Sequence, residues 1–305
     1  MRISTQSLFE TSATRLGELQ TGLARTQQQM ATGLRILVPS DDPVAAARAL
    51  EVTQSQSINT QYGRNRQYAK GTLGEVESRL SGVTSLIQDI KDTVIAAGNG
   101  TLGNTERGFQ ATELKGRFDE LLNLANSRDA QGNYLFSGFQ SGTPAFSPTL
   151  APGVLYPGAT YQGDAGQLKV QVDTSRQIAV SNPGSAVFQG GGQDIFKTLN
   201  DLIVQLQTPG TAGLTVTLTT AASNLDLALN NVLTIRASVG SSLQEIDALD
   251  SAGSDRDLQY SKSLSDLQDL DYNQAVSQLT QQKLTLEAAQ QSFVQTSKLS
   301  LFNFI

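Results

Sequence analysis

The chain has no cysteine and no histidine among its 305 residues. Without thiols it forms no disulfides and holds no thiolate nucleophile. Without imidazoles it has no Ser-His-Asp or Cys-His arrangement and no imidazole zinc site. Any chemistry would rest on carboxylates, Lys, Tyr, Ser or Thr. Charged residues make up 16%, with a net charge of −6. That share is below the usual ~25%. An acidic balance gives no electrostatic reason to bind nucleic acid or an anionic membrane. No apolar run reaches the roughly 18 residues of a membrane-spanning helix. The opening "MRISTQSLFETSATRLG" lacks the apolar centre of a Sec-type signal. The chain is therefore expected to be soluble and cytoplasmic, unless it leaves the cell by a route that needs no cleaved signal.

Gln, Ser, Thr and Asn supply the polar surface instead. Neutral polar groups are cheaper to desolvate than charged ones. That suits a protein that packs against copies of itself, although many secreted proteins share the bias.

The strongest positive signal is apolar residues spaced three and four apart, in six places. The first stripe is Leu16, Leu19, Leu23 and Met30, with Phe9 one heptad earlier and Thr26 as a polar interruption. The second is Leu73, Val76, Leu80, Val83, Ile87, Ile90 and Val94. The third is Ala111, Leu114, Phe118, Leu121 and Ala125, and the fourth Ile195, Leu199, Leu202 and Leu206. The fifth runs Leu225, Ala228, Val232, Ile235, Val239, Ile246 and Leu249, and continues through Tyr260, Leu267 and Leu270. The last is Leu279, Leu286 and Phe293, with Val276 beside it. Such spacing puts a narrow apolar stripe on a helix, as bundles and coiled coils require. An ordinary amphipathic helix on a globular core explains the short fourth stripe. The fifth, at ~1.5 Å per residue, spans roughly 70 Å and favours a rod.

From Phe136 to Gly192 the helical period disappears, and five of the eight prolines fall there. "QLKVQVD" and "QIAVS" alternate apolar and polar residues, and "YPGATYQGD" reads as a turn and a strand. These are short antiparallel strands. The expected fold is mainly α with a small inserted β domain at 136–192. A helical-bundle rod at 41–135 and 193–265 carries it, and paired terminal coiled-coil arms at 1–40 and 266–305 complete the chain. Helices as polar as these arms are marginal alone. They are expected to be poorly ordered in a monomer and to gain packing from neighbouring subunits.

The stretch "RILVPSDDPVAAARAL" holds two adjacent carboxylates, which could bind a metal, move a proton or start a helix. No further ligands converge on them in the sequence. Pro43 restricts Asp42 to extended backbone, which suits an N-cap with proline at the first helical position. Asp41 would sit near the positive end of that helix. Pro39, Ser40, Asp41, Asp42 and Pro43 thus read as a hinge and helix start. "GNGTLGN" lacks the phosphate-loop pattern and reads as a helix–helix turn. "QGGGQD" reads as a linker and "TQQQ" as a solvated or subunit-facing helix side. Tyr134, Tyr156 and Tyr161 read as core or tip surface rather than a ligand site.

Several stretches, in order, resemble the flagellar hook-associated protein 3 family, the hook–filament junction proteins related to flagellin. They are Gln20 to Leu50, "GNYLFSGF" (Gly132 to Phe139), "YQGDAGQLKVQV" (Tyr161 to Val172), "IRASVGSSLQEID" (Ile235 to Asp247) and Leu264 to Ile305. The resemblance implies export through the flagellar type III apparatus without a cleaved signal, and an extracellular place in the flagellum. It implies a homo-oligomeric helical layer between the first hook-associated protein and flagellin, and an export chaperone on the C-terminal region. The terminal helices would line the inner core and the inserted domain would face outward. Assembly would then run through Leu16, Leu19, Leu23, Met30, Val276, Leu279, Leu286 and Phe293. No cofactor, metal, nucleic acid, membrane insertion or enzymatic activity is expected. The rival readings are a flagellin and, from another class, a secreted adhesin or carbohydrate-binding module on a helical rod.

Overall fold

A computed structural model describes residues 2–148 and 158–302. Tyr156 lies outside the described residues. In chain order the elements are α1 (Arg2–Thr32), α2 (Pro43–Ala97), α3 (Asn104–Ala125), β1 (Phe146–Pro148), β2 (Ala159–Tyr161), β3 (Lys169–Asp173) and β4 (Arg176–Ala179). They continue with α4 (Gly184–Phe188), α5 (Ile195–Gln207), α6 (Leu214–Gln268) and α7 (Tyr272–Phe302). The fold is mainly helical with a small strand insertion, as the period change at Phe136 indicates. The chain parts into two compact units. One is Met1–Ile58 with Asp255–Ile305; the other is Asn59–Ser254.

The larger unit holds the hydrophobic core. Its α2 stripe, Leu73, Val76, Leu80, Val83, Ile87 and Ile90, is at most 1% exposed. Leu114 and Leu121 of α3, Leu199 and Leu202 of α5 and Leu225 of α6 are fully buried. Spacing of three and four keeps each stripe on one side of its helix, so several helices share one apolar interior. The strands belong to the same cluster, because Phe146, Val172, Ile178 and Val180 are buried with the helical residues. Strands β1 and β2 pair antiparallel, with Phe146 opposite Tyr161; β3 and β4 do likewise, with Val170 opposite Ile178 and a bulge near Asp173.

Rings join the strands to the helices. Phe146 lies 5.5 Å from Phe188 and 4.8 Å from Phe196, and Phe118 meets Phe196 edge-on at 5.6 Å. The Tyr161 hydroxyl lies 3.0 Å from the Phe136 carbonyl and 2.7 Å from that of Asp164. Burial holds its phenol above the ordinary value of 10.0. The stretches around Gly138 and Asp164 meet here. The Asp164 carboxylate accepts the Phe139 and Gly166 N–H groups at 2.9 and 2.7 Å. Gly138 adopts φ +69°, and a Cβ on it would overlap Asp164. Glycine is required there on both counts.

"QGGGQD" links α4 to α5, as its composition indicates, and its first two glycines pack against α6. Asn231 of α6 donates to the Ala186 and Val187 carbonyls at 2.8 and 2.9 Å, and a side chain at Gly190 would overlap Ala186. Asp194 then caps α5 by accepting the Lys197 N–H at 3.0 Å. "GNGTLGN" lies between α2 and α3. The fifth stripe is buried through Val239 and Ile246, but α6 ends at Gln268, so Leu270 sits in the link to α7.

Two charged clamps hold α6 in this unit. Arg66, 3% exposed, pairs with Asp250 at 2.5 Å and donates to the Val172 carbonyl at 3.1 Å. A side chain at Gly253 would overlap its guanidinium, and Asn59 donates to the Gly253 carbonyl at 2.8 Å. Arg236 pairs with Glu77 at 2.6 Å and reaches the Thr84 hydroxyl at 3.2 Å.

Candidate functional site

The smaller unit contains the predicted hinge and both predicted terminal stripes. Helices α1 and α7 pair antiparallel. Phe9 meets Phe293 with centroids 5.0 Å apart, and the Tyr272 hydroxyl donates to the Met30 carbonyl at 3.0 Å. On α1 the side facing this pairing carries Leu16, Leu19, Leu23 and Met30, each half-buried, and Thr26, which is 3% exposed. "TQQQ" therefore begins on the seam, although its glutamines are polar. On α7 the corresponding line is Ala275, Leu279, Gln282, Leu286, Ala289 and Phe293. Val276 lies off this line and is 48% exposed, because Ala275 occupies the buried position one residue earlier.

The hinge residues are organised by hydrogen bonds. The Asp41 N–H donates to the Val38 carbonyl at 2.9 Å, closing a turn with Pro39 and Ser40 at its centre. Proline's fixed φ suits the first central position of such a turn. The Asp41 carboxylate accepts the Leu37 and Val38 N–H groups at 3.0 and 3.3 Å and pairs with Arg25 at 2.8 Å. Asp42 accepts the Ala45 N–H at 3.0 Å, and its carbonyl accepts the Ala46 N–H at 2.9 Å. These are the bonds of an N-cap, with Pro43 as the first helical residue. Asp42 also pairs with Arg35 at 3.3 Å. The Ala45 N–H first, and Arg35 after it, hold the Asp42 carboxyl below its ordinary 3.8.

The same segment is tied to the link before α7. The Arg35 N–H donates to the Gln268 carbonyl at 2.7 Å, and the Leu270 N–H donates to that of Gly33 at 2.9 Å. The Arg35 guanidinium reaches the Leu267 carbonyl at 2.9 Å. Asp271 caps α7, accepting the Asn273 and Gln274 N–H groups at 2.9 and 3.2 Å. Sequence reading missed this second cap, although "DLDYNQA" carries an aspartate just before a helical stripe. Both aspartates of "SDDP" are thus engaged by backbone N–H groups and guanidiniums. Among the described residues no group of three or more acidic side chains is placed to hold a metal, and no helix is long and apolar enough to cross a membrane.

This unit buries little. Among the described residues, its buried apolar side chains are Ala45, Ala49 and Ala275. Meanwhile Phe9, Val44, Leu50, Leu258, Leu284 and Val294 are between 49% and 71% exposed.

Residues 3–141 match the bacterial flagellin N-terminal helical region. The chain is 36% identical to flagellar hook-associated protein 3 of Escherichia coli (strain K12), over 99% of both chains. A flagellar hook-associated protein of Vibrio parahaemolyticus has TM-score 0.68 at 25% identity, covering 75% of this chain and 100% of that one. A flagellar junction protein of Legionella pneumophila has TM-score 0.61 at 19% identity, covering 73% and 100%, and shares the fold. Similarity to a flagellin of Escherichia coli O127:H6 is narrower, at 25% identity over 43% of this chain and 24% of that protein. The chain belongs to the flagellar hook-associated protein 3 family.

Proposed function

We propose that this chain is a structural subunit of the flagellar hook–filament junction and that it polymerises through its smaller unit. The observation that carries this is the contrast in burial just described. The helices of that unit present large apolar side chains and bury only small ones, Thr26, Ala45, Ala49 and Ala275, so they gain most by packing against further helices. Head-to-tail contacts between copies generate open helical arrays, in which the two axial faces meet different neighbours. The hook side would meet the first hook-associated protein and the filament side flagellin. Residues 1–40 and 266–305 would form the inner zone, 41–135 and 193–265 the middle, and 136–192 the outward-facing insertion. Leu16, Leu19, Leu23, Met30, Leu279, Leu286 and Phe293 would pack in the inner zone, with Val276 free to meet a neighbour.

The hinge at Pro39 to Pro43 would set the angle at which α2 leaves the inner zone. Its aspartates fix geometry and carry no reaction. The chain would travel unfolded through the flagellar export apparatus to the cell exterior, its C-terminal region held by a chaperone beforehand. Removing the gene tests the reading. Cells should build hooks without filaments and release flagellin into the medium. Filaments of normal length on such cells would contradict it.

A further inference from the structure

The turn between α2 and α3 contains the chain's single Asn-Gly pair, Asn99 and Gly100. Asn99, Gly100 and Thr101 are all exposed. The Asn99 side-chain oxygen accepts two bonds from Thr101, from its N–H at 3.2 Å and from its hydroxyl at 2.9 Å. Donors on a carbonyl oxygen stabilise the negative charge that builds there when the carbon is attacked. A nucleophile is next to it in the chain. Among the described residues nothing accepts the Gly100 N–H, and without a Cβ the nitrogen is open to approach. The two reacting groups belong to adjacent residues, so no encounter has to be paid for in entropy. Two nearby asparagines lack this combination. Asn126 has its Oδ1 and Nδ2 fixed by the Phe146 N–H and carbonyl, each at 2.9 Å. The N–H that follows it, of Ser127, donates to the Leu124 carbonyl at 3.2 Å. Asn104 receives donors from Arg107 and Gly210 on its Oδ1, but it opens α3 and is followed by the β-branched Thr105.

We propose that Asn99 is a self-modification site, at which the Gly100 nitrogen converts the side-chain amide to a carboxylate without an enzyme. The Gly100 nitrogen gives its proton to solvent hydroxide and bonds to the Asn99 side-chain carbonyl carbon, while Thr101 holds the developing oxyanion. The bond from that carbon to the amide nitrogen then breaks, and the nitrogen leaves as ammonia with a proton from water. The product is a cyclic succinimide. Water opens it at either carbonyl, giving an aspartyl or an isoaspartyl residue at position 99. Nothing is oxidised or reduced. Either product puts a new negative charge just beyond the end of α2 at Ala97, where the helix dipole disfavours it. The isoaspartyl form also lengthens the backbone inside a tight turn. That turn is closed by the Asn99 N–H on the Ala96 carbonyl at 3.2 Å and the Leu102 N–H on the Asn99 carbonyl at 3.1 Å. The α2–α3 turn therefore gains charge and loosens with the age of the chain.

The test uses the full chain, aged in mildly alkaline buffer, digested with trypsin and compared with an unaged sample by mass spectrometry. Asn99 and Asn104 fall in one peptide, Asp92 to Arg107, so fragmentation compares them directly. Asn99 should convert to the acid at least about tenfold faster than Asn104. Its rate should rise with pH, because the attacking nitrogen must lose a proton. Gly100→Ala places its methyl in open space, so the fold is kept, and it should slow conversion by about tenfold. Thr101→Val removes the hydroxyl donor and should slow conversion a few-fold, less than in a buried site because water substitutes for it. Conversion at Asn99 no faster than at Asn104, or unchanged in Gly100→Ala, would overturn the proposal. Unchanged or faster conversion in Thr101→Val would overturn the role given to Thr101.

Discussion

The two units of this chain are built from the same kind of helix and differ in what they enclose. Between Asn59 and Ser254 the stripes close on one another, and Phe136, Phe146, Phe188, Leu80 and Ile87 are sealed from water. In the other unit the same three-four spacing leaves Leu16, Leu23, Leu279 and Leu286 half-exposed, and three alanines and Thr26 fill the buried positions. A full stripe therefore does not decide whether a helix is finished. The number of helices around the stripe does. Two helices cover one side of each stripe, whereas the bundle of the larger unit covers nearly all of it. The larger unit reads as a folded body and the smaller as a contact surface, which is what a polymer subunit needs.

The sharpest way to break this comparison is to damage the larger unit. Phe146→Ala removes a ring that touches Tyr161, Phe188 and Phe196, and is expected to cost about 3–5 kcal/mol in thermal or denaturant unfolding. Gly253→Ala should follow. Its methyl would displace the Arg66 guanidinium from Asp250 and the Val172 carbonyl, at about 1–3 kcal/mol by the same measurement. Leu286→Asp should separate the units. It falls on the half-buried seam of α7, so the unfolding of the larger unit should shift by less than about 0.5 kcal/mol while filament assembly in cells is lost. Unchanged incorporation would remove the seam from the assembly surface.

The smallest effect is expected at the hinge. Asp42→Ala should weaken the start of α2 and slow assembly, with no change in the larger unit. The pH dependence carries a definite sign. The Asp42 carboxyl sits below its ordinary 3.8 in the folded chain. Its cap is therefore fully present above 3.8 and is lost as pH falls through the lowered folded value. Acid titration monitored by helicity in the smaller unit should show this step in the wild type and not in Asp42→Ala.

Much of this was legible in the sequence because helix physics is local. The stripes through Val94, Ala125 and Leu206 needed only spacing, and the start of α2 needed only Asp42 and Pro43. Val170, Val172 and Ile178 were legible as strand positions by alternation, whereas Val180 lies one residue past the end of β4. What escaped depends on partners distant in the chain. Nothing near Gly138 announces that Asp164 will occupy the space its side chain would need, and nothing near Gly253 announces Arg66. Val276 and Ala275 are neighbours, and only the register against α1 decides which one is covered. The close approach of Gly190 and Gly191 to Asn231 was hidden for the same reason. A run of glycines looks the same whether it is loose or held close to another element.

The smaller unit is expected to complete its packing only in the assembly. Hydrogen exchange by mass spectrometry, on the free chain and on assembled material, tests it most directly. Amides of α2 from Leu73 to Val94 should be strongly protected in both states. Those of α1 from Leu16 to Met30, and of α7 from Leu279 to Phe293, should exchange quickly in the free chain and become protected on assembly. Protection of the Leu16–Met30 amides in the free chain equal to that of Leu73–Val94 would contradict the account.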